Sequence, residues 1–304
     1  MLSTGRQAAL LLALVCALYY NALDNQFHYD DFHSIVRNPH IRDLGNLPAF
    51  FVDPGLFSVD PAQAMYRPLL LCSYGVNYSL GGLDPMGYHL LNGLLHAANA
   101  VWVLLLARGL GLGRSPSFAA ALLFAVHPLN SEVVHYASSR SEALMAFFFL
   151  AACWAYLRHG VSGAWSWYGL ALCCGGLAML SKSVAVVLVV VLVLCDWLVG
   201  RDLRKWWPRY LPFAVLALCY ALFSRALIGK ALLAPVRPLD GSGIVLVVIG
   251  LVAMAQWMAD THFCLELGRR TTRPDLCCAA DCPGQRTPSL SVCGGLVFTR
   301  GLAL

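Results

Sequence analysis

Charge is what this sequence has least of. Only 12% of its 304 residues are charged, against 59% apolar, and the mean hydropathy is +0.66. A soluble domain clothes its surface with about a quarter charged residues, so the shortage excludes water as the main solvent and leaves lipid. The sequence also lacks any surface of the kind that binds nucleic acid; its net charge of +5 fits basic loops on one side of a membrane instead. Paired CxxC spacing is missing despite twelve cysteines, which removes the usual structural-metal signal and predicts no metal and no cofactor. Cys16, Cys72, Cys153, Cys173, Cys174, Cys195 and Cys219 lie in or beside apolar runs, where cysteine acts as a small hydrophobe. No internal repeat or low-complexity stretch appears.

What is present is a series of apolar runs approaching the roughly 20 residues that a membrane span requires. They are Gln7–Leu23, Tyr88–Ala107, Ser117–Val126 with its flanks, Glu142–Leu157, Trp165–Leu180, Ser183–Val199, Tyr210–Leu227 and Gly243–Met258. The expected fold is therefore all-α, a polytopic membrane helix bundle of about eight spans. Gln7–Leu23 reads as an uncleaved anchor. Pro68–Leu80 is too short and polar to cross and reads as an interfacial helix within a long first extracytoplasmic loop. Arg108, Arg114, Arg158, Arg201, Arg204, Lys205 and Arg209 then collect in the cytoplasmic loops, while Asp24, Asp30, Asp31, Asp43, Asp53, Asp60, Asp84, Glu132, Glu142 and Asp240 face the other side. That alternation satisfies the positive-inside rule. Residues 1–260 form the expected membrane core. From Thr261 the chain gains Cys, Arg, Pro and Thr without helical period, so 261–304 is expected to be an irregular cytoplasmic tail, either disordered or an out-of-frame end to a truncated gene.

Polar chemistry gathers on the extracytoplasmic side. Asp30 and Asp31 stand side by side just beyond the first span, where two carboxylates repel each other and need a cation or polar ligand nearby. They read either as a site containing a general base or as a solvated acid pair. His89, Asn92, His96 and Asn99 fall within about 80° of one helical face. Such a stripe lines a wet cavity or supplies interhelical hydrogen bonds. His127, Glu132 and Arg140 occupy the next outside loop, and Arg67 and Lys182 reach the same side. Singly these cations read as snorkelling interface residues. Together they suit a lipid phosphate, with Arg offering a bidentate fork and Lys a point charge.

Five blocks carry a resemblance: NQFHYDDFHSIVRN (25–38), YRPLLLCSYGVNYSLGG (66–82), YHLLNGLLHAAN (88–99), HPLNSEVVHYASSRSEAL (127–144) and LSKS (180–183). In order and spacing they resemble the transmembrane and tetratricopeptide-repeat mannosyltransferases and their bacterial relatives, within the GT-C glycosyltransferases. The likeness covers roughly residues 7–240. It departs from the family at Ser183, where an acid often follows the lysine, at Glu142, where an Asp is frequent, and in having no 34-residue repeats.

The resemblance implies inverting transfer of mannose or another hexose from a polyprenyl-phosphate donor to a hydroxyl of a protein or glycan, without metal. Carried over by residue, Asp30 is the expected base and Asp31 its orienting neighbour. Arg67, His127, Glu132, Arg140 and Lys182 are the expected donor or substrate contacts. The expected location is a multi-pass membrane protein of a bacterial plasma membrane in preference to the endoplasmic reticulum. The competing readings are a non-catalytic polytopic protein, transporter-like or scaffolding, and an inactive truncated relic of the enzyme. A transporter should show broken spans in two matching halves, and the sequence has no such symmetry.

Overall fold

A computed structural model describes residues 3–231 of the chain, and all regular structure among them is helical. The helices are α1 (Thr4–Leu18), α2 (Pro68–Gly81), α3 (Pro85–Gly109), α4 (Arg114–Val126), α5 (Pro128–His135), α6 (Arg140–Ser162), α7 (Trp165–Ser181), α8 (Leu188–Leu198), α9 (Leu203–Trp206) and α10 (Leu211–Ala231). Their ends follow local chemistry. Proline opens α2, α3 and α5, at the first-turn position where its missing N–H costs nothing. Asp84 caps α3 by accepting the Met86 amide, and Gly163 ends α6 at φ 71°, a left-handed conformation that favours glycine.

Seven of the eight expected spans fall on helices; Gly243–Met258 and the expected tail lie outside the described residues. Pro85–Gly109, Ala137–Ser162 and Leu211–Gly229 are long and apolar enough to cross a membrane alone. A fourth crossing arises if α4 and α5, bent by 55°, count as one. The bend has a cause: Pro128 cannot donate to the preceding turn, and the His127 ring nitrogen instead caps α5 by accepting the Leu129 amide. The short run 68–80 forms the 14-residue α2, about 21 Å long at 1.5 Å per residue.

Helices α6 and α7 pack through small side chains, with Ala151, Ala152 and Ala155 buried in one cluster with Ala171 and Cys174. Small residues let helices approach closely where lipid offers no hydrophobic drive. A second cluster joins α1, α3 and α4 through Leu11, Val15, Ala97, Ala100 and Ala121. The long first loop is itself packed. Ile35, Ile41, Phe50 and Phe57 are buried with Leu70, Leu71 and Tyr74 of α2. Its acids Asp43, Asp53 and Asp60 each cap a one-turn helix by accepting the amide two residues on. These extracytoplasmic acids thus shape the loop.

The two ends of the bundle differ in charge. α3 and α6 both run away from Asp30, and Gly109 packs on Leu157 at the far end. There Asp196 is fully buried and accepts from Tyr156 (2.6 Å), Tyr210 (2.8 Å) and Arg201 (2.6 Å). The Arg201 guanidinium lies so close to Gly160 that an added Cβ would clash with its Nη2. Gly160→Ala is therefore expected to push Arg201 off Asp196 and to destabilise the protein by about 1–3 kcal/mol. The check is the thermal midpoint of purified protein in detergent. Adding Gly160→Ala to Arg201→Ala should cost far less than adding it to the native chain, because the clash is already gone.

Candidate active site

The Asp-Asp pair divides. Asp31 is completely buried and accepts three hydrogen bonds, from the His28 amide (2.9 Å), the Ser138 amide (2.8 Å) and the Ser138 hydroxyl. It ties the first loop to the α5–α6 connection. Asp30 points the other way, with 67% of its side chain exposed. Only its backbone is pinned: its amide donates to the Tyr136 hydroxyl (2.9 Å) and its carbonyl accepts from Ser34 (2.6 Å). The preceding residue, Tyr29, holds φ at 42°, a left-handed conformation that costs a non-glycine residue about 1–3 kcal/mol and concentrates at functional sites. This turn aims the two neighbouring carboxylates in different directions.

Asp30 lines a cavity of about 210 Å³ together with His33, Arg67, Glu132, Tyr136 and Glu142. His33 Nε2 stands 3.6 Å from the Asp30 carboxylate, and its Nδ1 meets the Ser58 hydroxyl at 3.0 Å. Burial pushes the Tyr136 phenol up from its ordinary value, so its proton stays available as a donor. A polar chain runs along the wall. Arg67 donates to Ser141 (3.2 Å), Ser141 donates to Glu142 (2.6 Å), and Glu142 pairs with Lys182. Three segments distant in sequence, the start of α2, the first turn of α6 and the residue after α7, are joined in this way. A second cavity of about 310 Å³ adjoins the first, shares Glu132, Ser139 and Glu142 with it, and has largely apolar walls that include Phe124 and Met145.

Not every expected residue joins. His127 is exposed at the α4–α5 bend, its ring used as a helix cap, and it lines neither cavity. Arg140 was expected at a phosphate and is instead part of the framework. It is fully buried, donating to Asn92 Oδ1 (2.8 Å), Asn77 Oδ1 (2.9 Å), the Tyr88 carbonyl (3.0 Å) and Ser73 (3.3 Å). The rings of Tyr74 and Tyr88 stack on it at 5.0 and 5.2 Å. A guanidinium so fully engaged has little left to offer a ligand.

The polar stripe on α3 bonds to the opposing carbonyls. His89 meets Val134, Asn92 donates to Val133 and Tyr136, His96 meets Ala125, and Asn99 donates to Ala143, all at 3.0–3.1 Å. His96 and Asn99 also line the larger cavity, whereas His89 and Asn92 line neither. Interhelical bonding thus engages all four members, and two of them also face a cavity. Sequence reasoning missed His33, Tyr136 and Glu142 as site residues. Glu142 had a usable signal, an acid heading an apolar span, where the helix N-terminus favours negative charge. Among the described residues no cluster of His, Cys, Asp or Glu could hold a metal ion.

Residues 82–228 match the sequence family described as dolichyl-phosphate-mannose-protein mannosyltransferase. The chain is 36% identical over 197 residues to Protein O-mannosyl-transferase Tmtc1 of Drosophila melanogaster, covering 62% of this chain and 23% of that one. It is 36% identical over 156 residues to Protein O-mannosyl-transferase TMTC3 of Mus musculus, covering 50% and 17% respectively. With Protein O-mannosyl-transferase TMTC2 of Mus musculus the identity is 33% over 200 residues, covering 63% and 24%. The chain thus spans about a quarter or less of the length of these relatives. No solved structure matches it. All three relatives are animal proteins, which removes the ground for preferring a bacterial plasma membrane.

Proposed function

We propose that this chain, whose residues 82–228 match the dolichyl-phosphate-mannose-protein mannosyltransferase family and which is similar to protein O-mannosyl-transferases, is the membrane core of an inverting GT-C glycosyltransferase. The core is a multi-pass helix bundle in the endoplasmic reticulum membrane of a eukaryotic cell. The donor is a polyprenyl-phosphate mannose and the acceptor a protein hydroxyl. The observation that carries this reading is the exposed Asp30 carboxylate on a cavity that also holds Arg67 and the Glu142 partner of Lys182.

In the proposed step the acceptor oxygen attacks the anomeric carbon while the bond from that carbon to the phosphate oxygen breaks. Asp30 takes the hydroxyl proton, and the leaving phosphate keeps the electron pair. Arg67 and Lys182 stabilise the charge that gathers there. Losing one such electrostatic contact typically costs about 10²–10³-fold in rate. Glu142 restrains both cations, one through Ser141 and one directly, so that they are in place before the donor arrives.

The test incubates membranes bearing the full chain with dolichyl-phosphate mannose labelled in the sugar and follows the label. Transfer to protein as base-eliminable O-linked mannose is expected. Arg67→Ala and Lys182→Ala should weaken donor binding as well as turnover, because both would meet the phosphate in the ground state. Label that never leaves the lipid, in membranes where the protein is folded and abundant, would turn the reading toward a non-catalytic relative.

A further inference from the structure

We infer that the end of the bundle opposite Asp30 binds the phosphate-bearing headgroup of an anionic phospholipid through Arg204 and Arg209 beside Trp206, with Arg158 adding charge at the same end. This inference does not depend on the transferase reading. It begins from a charge imbalance. From the last turn of α8 to the start of α10 the chain carries Arg201, Arg204, Lys205 and Arg209, with only Asp196 and Asp202 to balance them. The Asp196 carboxylate is already shared among Arg201, Tyr156 and Tyr210. Asp202 caps α9 through the Arg204 amide and stands 3.6 Å from Lys205. Arg158, Arg204 and Arg209 have no carboxylate within 4.0 Å among the described residues.

Two further observations give the ligand its character. The Arg209 Nε is buried and has no hydrogen-bond acceptor among the described residues, a position that costs free energy unless an acceptor arrives. Its guanidinium sits 4.0 Å from the centre of the Trp206 ring, and Arg201 sits 4.5 Å from the same ring. Both contacts are cation–π in kind and hold the charges at a defined place. The second observation is the apolar surface alongside, where Trp207 is 59% and Leu211 53% exposed at the start of α10. A free anion would leave that surface in water. A lipid places its phosphate among the arginines and its chains against the tryptophan and leucine, as indole rings at membrane interfaces favour. Clusters of four or more basic residues next to a membrane helix favour anionic lipid by about fivefold per residue.

The full chain, reconstituted in phosphatidylcholine bilayers with a trace of spin-labelled phosphatidylserine or spin-labelled phosphatidylcholine, tests this. The native protein should immobilise the serine lipid severalfold more than the choline lipid at low salt, and less so as salt rises. Arg204→Gln and Arg209→Gln should each reduce that selection by up to about fivefold. Combining them with Arg158→Gln should abolish it while the thermal midpoint stays close to native. Arg204 is exposed, and its backbone amide bonds to Asp202, so its single variant carries the test if the triple variant fails to fold. Equal immobilisation of the two lipids by the native protein would overturn the inference, as would selection that survives the triple change. Loss of selection in inorganic phosphate at matched ionic strength would point to a free-anion site and would equally reject the lipid assignment.

Discussion

Asp30→Asn is expected to lower sugar transfer by about 10²–10⁴-fold, the range over which a positioned general base acts, while leaving the thermal midpoint of the protein unchanged. The amide keeps the size and polarity of the carboxylate but cannot take the acceptor proton. The Asp30 side chain is two-thirds exposed, its hydrogen bonds run through its backbone, and its long 3.6 Å contact with His33 is solvent-screened, so little of the stability depends on its charge. Donor affinity should change little. Asp31→Asn should behave in the opposite way. The Asp31 oxygens accept amides from two different segments, at 2.9 and 2.8 Å. An Asn side chain can accept at one of them but must turn its own NH₂ toward the other, setting donor against donor. An unsatisfied buried donor costs about 1–3 kcal/mol, so the thermal midpoint should fall, with activity falling because the loop loosens. Measuring transfer, donor affinity and thermal midpoint for both variants separates the two roles. Near-normal turnover in Asp30→Asn would remove it as the base.

The largest loss of stability is expected from Arg140. Arg140→Leu removes a guanidinium that meets Asn77, Asn92, Ser73 and Tyr88, and leaves those buried acceptors facing an apolar chain. Removing one partner from a buried charged network typically costs about 3–5 kcal/mol, enough to abolish accumulation of a marginally stable protein. Arg140→Lys should be intermediate, since one ammonium offers three donors from a point where the guanidinium offers five from a plane. Expression level and thermal midpoint in detergent provide the check. If Arg140→Ala left stability intact and selectively weakened donor binding, the framework role would be wrong and the phosphate role would return.

These two sites show what could be read from sequence and what could not. Apolar run length located seven helices, because a long stretch of apolar side chains has few other stable outcomes. It could not separate helices that cross a membrane alone from shorter ones such as α8, which depends on tertiary packing and on where the 3-10 turn at 183–187 breaks the run. The spacing of Asp30 and Asp31 marked a site, but adjacency says nothing about which carboxylate turns inward. That choice is made by the positive φ at Tyr29 and by Ser138, 107 residues further on. Arg140 had the right chemistry for phosphate and the wrong address. In the structure Tyr74, Asn77, Tyr88 and Asn92 converge on it and engage its guanidinium, a convergence that only helix packing reveals. Glu142 was visible as an acid at a helix start, while its pairing with Lys182 is a tertiary fact.

The link between Asp31 and Ser138 also sets an order of events during synthesis. The first loop emerges from the ribosome well before the segment that will hold it, since 107 residues separate the two partners. At about 5–20 residues per second the loop waits on the order of 5–20 s. During that interval α2 to α5 are still being made, while Ile35, Ile41, Phe50 and Phe57, buried in the finished protein, have no completed surface to lie against. The Asp30 side of this protein is thus assembled late, from a loop made early.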